Sequence, residues 1–244
     1  MTILVIGESC VDEFIYGSSS RLAPEAPAPV FVPNHATSNI GMAGNVAENL
    51  KSLGAQVELL TNKNVIKKTR YVDEKTNHLH LRIDIGDLNT KQIVYEDLAY
   101  FKQFEAIVIS DYCKGFLSED DIFKICNIHN NVFIDTKKIL NKKFINAKFI
   151  KINNLEYKAS EQEINRTPGL IDKIIITTGK DGCIFKGNKY GVSKVEVKDQ
   201  VGAGDTFIAS FVYKYLKTGD VDNSIKFAND CATVVVSKRG VAII

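Results

Sequence analysis

Five short apolar runs recur along the chain, at Ile3 to Ile6, Ala106 to Ile109, Val132 to Ile134, Phe149 to Ile152 and Ile174 to Ile176. Nearly continuous runs of this length mark strands covered on both faces, because a strand with one wet face alternates apolar and polar residues. Segments with helical periodicity lie between them. Val46, Ala47, Leu50 and Leu53 fall on one face of a helix over Asn45 to Leu53, with Gly54 as its stop. Beyond Asp205, Phe207, Ile208, Phe211, Val212, Tyr215 and Leu216 repeat at helical spacing before Gly219. Strands alternating with helices predict an α/β fold with a mostly parallel, doubly wound sheet.

Two segments depart from that alternation. Residues 14–36 carry Gly17, a Ser18-Ser19-Ser20 run, four prolines and Val30-Phe31-Val32, and residues 70–85 set Leu79, Leu81 and Ile83 against His78, His80, Arg82 and Asp84. Period-two alternation reads as strands with one solvated face, so these segments predict a small antiparallel β flap, or lid, on the main sheet. There is no internal repeat and no long linker, and a single domain over residues 1–244 is expected.

With 244 residues and 45% hydrophobic side chains, the chain can fill a substantial core. Its 31 basic and 29 acidic residues leave a formal charge of +2, which favours neither nucleic acid nor a membrane surface and points to a compact metabolite. Cys10, Cys113, Cys126, Cys183 and Cys231 are widely spaced with no C-x-x-C pair, the pattern of reduced and mostly buried thiols. No signal-peptide core and no membrane-length apolar stretch is present, so a cytoplasmic location is expected.

The chemistry is concentrated in Asp199-Gln200-Val201-Gly202-Ala203-Gly204-Asp205-Thr206-Phe207. A strand-like Val195-Glu196-Val197 leads into a glycine-rich turn, and the turn opens the helix described above. Successive N–H groups at a helix start bind anions, and glycine lets phosphate approach the backbone closely. A carboxylate just beyond could take the proton of an alcohol attacking a phosphoryl group. An ordinary tight turn with a capping aspartate is the plain alternative.

This run resembles the D-T-x-G-A-G-D signature of the ribokinase-like (PfkB) carbohydrate kinases. The resemblance implies that Asp205 is the catalytic base and that the N–H groups of Gly202, Ala203 and Gly204 stabilise the transferring phosphoryl. Asn39-Ile40-Gly41-Met42-Ala43-Gly44-Asn45 is similar to the family's N-terminal glycine motif, implying sugar contacts by Gly41 and Asn45, although Met42 stands where relatives usually have a second glycine. Asn153-Asn154-Leu155-Glu156 resembles the N-x-x-E motif, which implies that Asn153 and Glu156 organise Mg²⁺ through water; a polar cap at a strand end is the alternative. Thr177-Thr178-Gly179-Lys180-Asp181-Gly182 resembles a nucleotide-side loop, placing Thr178, Gly179 and Gly182 near ATP. Phe227-Ala228-Asn229 resembles the adenine-pocket wall through Ala228 and Asn229. The family implies ATP and Mg²⁺ as cofactors and leaves room for a monovalent cation.

Within the family, Gly7-Glu8-Ser9, Val11-Asp12 and Arg21-Leu22-Ala23-Pro24-Glu25-Ala26-Pro27-Ala28-Pro29-Val30 resemble the start of the heptose 7-phosphate kinases. Lys68-Thr69-Arg70, Leu81-Arg82-Ile83-Asp84 and Ser110-Asp111-Tyr112-Cys113-Lys114-Gly115 continue the likeness. This implies that Asp12 and Asn45 hold sugar hydroxyls and that the product is a heptose 1,7-bisphosphate. A phosphorylated substrate calls for cations away from the attacking hydroxyl, and Arg21, Lys68, Arg70, Arg82 and Lys114 are candidates beside the alternative of solvated flap charges. The lysines at 137, 138, 142 and 143 read as a solvated loop. The chain is shorter than is usual for such kinases, and a kinase unit without a nucleotidyl-transferring domain is expected. Relatives often dimerise through such a flap, which implies a homodimer, beside the alternative of a lid folding over its own active site in a monomer. Two other readings stay open: the same chemistry on fructose, ribose or a nucleoside, and a sugar- or nucleotide-binding regulator.

Overall fold

A computed structural model describes residues 1–87, 92, 93, 97–238 and 240–244. Its strands are β1 (Thr2–Gly7), β2 (Ser9–Leu22), β3 (Pro29–Met42), β4 (Gln56–Leu60), β5 (Lys67–Asp73), β6 (Leu79–Ile85), β7 (Ala106–Asp111), β8 (Val132–Thr136), β9 (Phe149–Asn153), β10 (Ile174–Thr177), β11 (Cys183–Phe185) and β12 (Asn188–Tyr190). The helices are α1 (Ala43–Ser52), α2 (Glu119–Ile128), α3 (Asn154–Arg166), α4 (Ala203–Thr218) and α5 (Val221–Val236).

The main sheet runs β12-β11-β10-β9-β8-β7-β1-β4. All pairings from β4 to β10 are parallel, and an antiparallel hairpin of β11 and β12 closes the far edge. The expected apolar runs are β1 and β7 to β10. Alternate residues of each strand feed opposite layers: Leu4, Ile6, Ile107, Ile109, Ile134 and Ile150 pack against α2 and α3, while Ile3, Val5, Val108, Phe133 and Phe149 pack against α1, α4 and α5. Strand order reverses at β1, which has β4 on one side and β7 on the other. A reversal of this kind opens a crevice at the carboxyl ends of the flanking strands, where α/β sheets bind ligands.

The lid is a second sheet in the order β3-β2-β5-β6. Its β2/β3 and β5/β6 pairs are antiparallel, as expected, and β2 runs parallel to β5. One expectation fails outside it. Val195 to Val197 is not a strand; Val195 and Val197 are exposed, and the chain there is tied to the end of α5 by Lys198 N–H donating to the Val236 carbonyl. Short apolar alternation forms a strand only where a partner edge is free to receive it.

Candidate active site

The glycine-rich turn ends in Gly202 at φ +83°, the residue before α4, and no side chain caps that helix. A Cβ on Gly202 would lie 2.8 Å from Asn45 Nδ2, and one on Gly204 would lie 2.8 Å from Lys151 Nζ. Both glycines let polar side chains crowd the helix start, and an uncapped helix start carries positive potential.

Asp205, in the first turn of α4, is 4% exposed. Tyr112 donates its hydroxyl to Oδ1 at 2.6 Å, and Asn45 Nδ2 donates to Oδ2 at 3.0 Å. Neither oxygen accepts a backbone N–H among the described hydrogen bonds, so Asp205 does not cap its own helix. Burial pushes its pKa up to about 6 against the opposing pull of those two donors. A carboxylate that titrates just below neutrality is suited to accept a proton.

Asn45 comes to this point because α1 begins immediately after β3, and its side-chain oxygen in turn accepts from Asn49. Tyr112 is delivered by the end of β7. Its backbone N–H, with those of Lys114 and Phe116, donates to the fully buried Glu8 carboxylate at 2.8, 2.8 and 3.1 Å. Lys68 and Lys137 place their ammonium groups 5.4 and 5.1 Å from the Tyr112 ring centre, within cation–π range. Met42 packs beside Tyr112, Cys10 and Ile66 at φ +60° and ψ −133°. That backbone conformation favours glycine and costs a side chain about 1–3 kcal/mol, which explains the strain of placing methionine here.

The lid faces this crevice with one set of alternating residues. Register places Asp12 beside Asn39 and Lys68, Phe14 beside Arg70, and Arg70 and Lys68 beside Arg82 and Asp84. Arg70 pairs with Asp12 at 2.5 Å and lies over the Phe14 ring. A Cβ on Gly41 would fall 1.9 Å from Asp12 Oδ2, so only glycine leaves room for that pair. Arg82 forks onto Asp84 at 2.7 Å to each oxygen, and Lys114 binds Asp87. Lys68 is buried with no carboxylate within 4 Å among the described residues. Arg21 is not brought here: it lies nine residues beyond Asp12 on β2, exposed at the lid tip and about 30 Å along the strand.

A nest at a helix start, a buried carboxylate within it and a lid of cations above it form an arrangement for phosphoryl transfer to an alcohol. The model of the pfkB family of carbohydrate kinases matches residues 61–244. The chain belongs to that family. Among curated relatives, the bifunctional protein HldE of Helicobacter pylori strain J99 is 31% identical over 99% of this chain and 64% of its own length. The Bradyrhizobium diazoefficiens protein of the same name is 28% identical over the whole chain and 61% of its own length. The chain thus spans about three-fifths of these relatives. In fold it is similar to Thermotoga maritima ribokinase, with a TM-score of 0.70, 15% identity, and 98% and 94% of the two chains covered. Phosphofructokinase-2 of Escherichia coli, solved in complex with potassium, gives 0.72 at 13% identity over 99% and 94%.

The residues that the pfkB likeness assigned to ATP lie at the far end of the sheet. Thr178 donates its hydroxyl to the Gly182 carbonyl across a tight turn, with Gly179 and Gly182 at φ +64° and +86°. Ala228 is fully buried against the core, and the Asn229 amide donates to the Tyr190 and Gly191 carbonyls, so both also hold α5 onto β12. Asn153 and Glu156 form a reciprocal cap on α3: Asn153 Oδ1 accepts from Leu155 and Glu156, and Glu156 Oε2 accepts from Asn153. The strand-end cap is therefore present. Glu156 Oε1 meets Lys137 at 3.3 Å. No group of three or more His, Cys, Asp or Glu is placed to hold a metal among the described residues. One carboxylate oxygen with a lysine beside it suits a hydrated ion brought by the nucleotide, not a protein cage.

Lys138 corrects the solvated-loop reading, whereas Lys137 is exposed. Lys138 pairs with the buried Asp111 at 2.9 Å, and Lys137 joins Glu156 to Tyr112. Lys142 is exposed, and Lys143 is half-buried and paired with Asp120. Four residues gained no role from sequence: Glu8, Tyr112, Asp135 and Lys151. Lys151 did carry a signal, as the one charge inside the apolar run Phe149 to Ile152, which forms a strand buried on both faces.

Proposed function

We propose that this chain transfers the γ-phosphoryl group of ATP to a hydroxyl of a phosphorylated sugar, heptose 7-phosphate, giving heptose 1,7-bisphosphate and ADP. The observation that carries this is Asp205: an enclosed carboxylate, fixed through both oxygens, at the first turn of an uncapped helix behind a glycine turn. In the reaction the sugar oxygen attacks the γ-phosphorus, its proton passes to Asp205, and the bond to the β–γ bridging oxygen breaks to release ADP. The N–H groups of Gly202 and Gly204 would serve the transferring group, while that of Ala203 donates to the Gln200 carbonyl at 3.3 Å and closes the turn. Glu156 and Asn153 would hold the water shell of a Mg²⁺ carried in by ATP, which would supply charge neutralisation to the phosphates. A monovalent cation belongs to the same proposal through the potassium-bound fold relative.

The heptose assignment is supported by the HldE relatives and by the enclosed cations Lys68 and Arg70 on the lid face. The same face of the lid that turns away from the site exposes Val11, Ile40, Leu81, Ile83 and Ile85, which share one side by register. A second copy would cover it, giving a homodimer. The enzyme acts in the cytoplasm in this reading; no helix among the described residues is long and apolar enough to cross a membrane.

The test is ADP release over a panel of sugars and sugar phosphates that includes heptose 7-phosphate, fructose, fructose 6-phosphate and ribose, with Asp205→Asn as control. Turnover greatest with heptose 7-phosphate, and reduced about 100- to 10,000-fold by Asp205→Asn, is expected. A preference for an unphosphorylated sugar would overturn the heptose reading; a folded Asp205→Asn protein with near-normal turnover would overturn the base.

A further inference from the structure

Lys151 stands in the middle of β9, 6% exposed, with its ammonium 2.7 Å from Asp135 Oδ2 on the neighbouring strand β8. On its other side it meets the glycine turn: a methyl added to Gly204 would lie 2.8 Å from Nζ and 3.8 Å from Cε. The ammonium therefore sits against the start of α4, between Asp135 and the residue preceding Asp205. We propose that Lys151 is a catalytic cation of this site, holding the charge of the transferring phosphoryl from the sheet side while the glycine turn holds it from the helix side. The proposal rests on the phosphotransfer reading above and adds a residue to it.

The competing role is a bridge between β8 and β9, since Asp135 and Lys151 are register partners. As a stabilising device, a buried ion pair is poor, because desolvating both charges offsets most of their attraction and apolar pairs of similar size do as well or better. Elsewhere in the main sheet no described register pair joins two charged residues: interior partners are apolar, as in Ile134 with Ile150 and Val108 with Phe133, and polar ones such as Asp111 with Thr136 fall at the carboxyl ends of the strands. The one charged pair falls where the sheet runs beneath the glycine turn. Burial works against the Lys151 ammonium, yet Asp135 and Asp205 outweigh it and keep it charged. Asp135 fixes the ammonium without a flexible arm to reorganise, which is what a cation needs if it is to act on charge that develops during the reaction.

The experiment compares the wild type with Lys151→Met, which keeps the length and removes the charge, and with Asp135→Asn/Lys151→Met, which leaves no uncompensated ion. Calorimetry measures binding of Mg·ADP alone and of Mg·ADP with fluoroaluminate, a mimic of the transferring phosphoryl. Loss of a preorganised donor lowers catalysis about 100- to 1,000-fold. The expected result is a loss of roughly that size in fluoroaluminate-complex affinity and in kcat, with Mg·ADP affinity within about threefold. If Lys151→Met fails to fold, the double variant decides by the same ratio. Equal loss for Mg·ADP and its fluoroaluminate complex, no loss for either, or a wild type that gains nothing from fluoroaluminate overturns the role. A wild type that binds the complex but phosphorylates no sugar sinks the acceptor reading, and the binding ratio still decides Lys151.

Discussion

Tyr112 donates its hydroxyl to Asp205 Oδ1 at 2.6 Å, so a phenol occupies one oxygen of the carboxylate proposed to receive the substrate's proton. Burial and the adjacent carboxylate hold the phenol pKa well above its usual value, so it stays a donor throughout the working range. Its hydrogen bond pulls the Asp205 pKa down from where burial alone would set it. Activity that needs ionised Asp205 should fall as pH drops through about 6 in the wild type. In Tyr112→Phe the acidic limb should move upward by about one unit, because the ionised form loses a donor. A pH profile of kcat/KM from 5 to 9 checks this; an unmoved limb refutes the coupling.

The same carboxylate is a burden on the fold. Its folded pKa of about 6 lies above the ordinary aspartate value, so the folded state binds the extra proton and stability falls as pH rises from about 4 to 6. Asp205→Asn removes that penalty while presenting an amide to the Asn45 donor, which offsets part of the gain. The expected net stabilisation is about 1–2 kcal/mol at pH 8, vanishing near pH 4. Urea unfolding at the two pH values measures it.

Glu8 accepts three backbone N–H groups from the Tyr112 loop. Glu8→Gln keeps one acceptor oxygen and turns an NH₂ group toward donors. A loss of about 2–4 kcal/mol in unfolding free energy is expected, together with reduced turnover, since Tyr112 would no longer be held against Asp205. Normal stability by chemical denaturation would refute it.

Glu156→Gln separates the cap of α3 from metal handling. The glutamine oxygen can still accept from Asn153 N–H, so stability should change by less than about 1 kcal/mol, while the Mg²⁺ concentration for half-maximal activity should rise about three- to tenfold. An unchanged metal titration removes Glu156 from that role.

Leu81→Asp puts a charge into the exposed apolar face of the lid. Light scattering should give a dimeric mass for the wild type and a monomeric mass for the variant. A wild-type monomer with and without sugar and ATP refutes the dimer.

The main sheet was legible because β1 and β7 to β10 are enclosed on both faces, and enclosure writes itself into sequence as apolar runs. The Gly202 to Asp205 turn was legible because its backbone needs particular residue types. Three-residue β11 and β12 lay below the length at which a pattern forms. Val195 to Val197 shows the converse, a strand-like pattern with no edge to join. Lys138 looked solvated because its enclosed ion pair depends on Asp111, which is distant in sequence. Lys151 was readable in principle, as a charge in a run predicted to be dry, but its meaning required knowing that Gly204 lies beside it.

Gly41 acts in this site through what it lacks: its missing side chain is the space that Asp12 fills. An alanine there would displace the Asp12 carboxylate and leave the Arg70 guanidinium enclosed without its counter-charge, a loss of about 3–5 kcal/mol when one partner of a buried pair is removed. In a saturation mutagenesis map, position 41 should therefore be as dark as position 205 for activity, and darker for abundance. A dropout at this position would report the eviction of a neighbour, and reading it as a ligand contact would misplace the sugar by a whole residue.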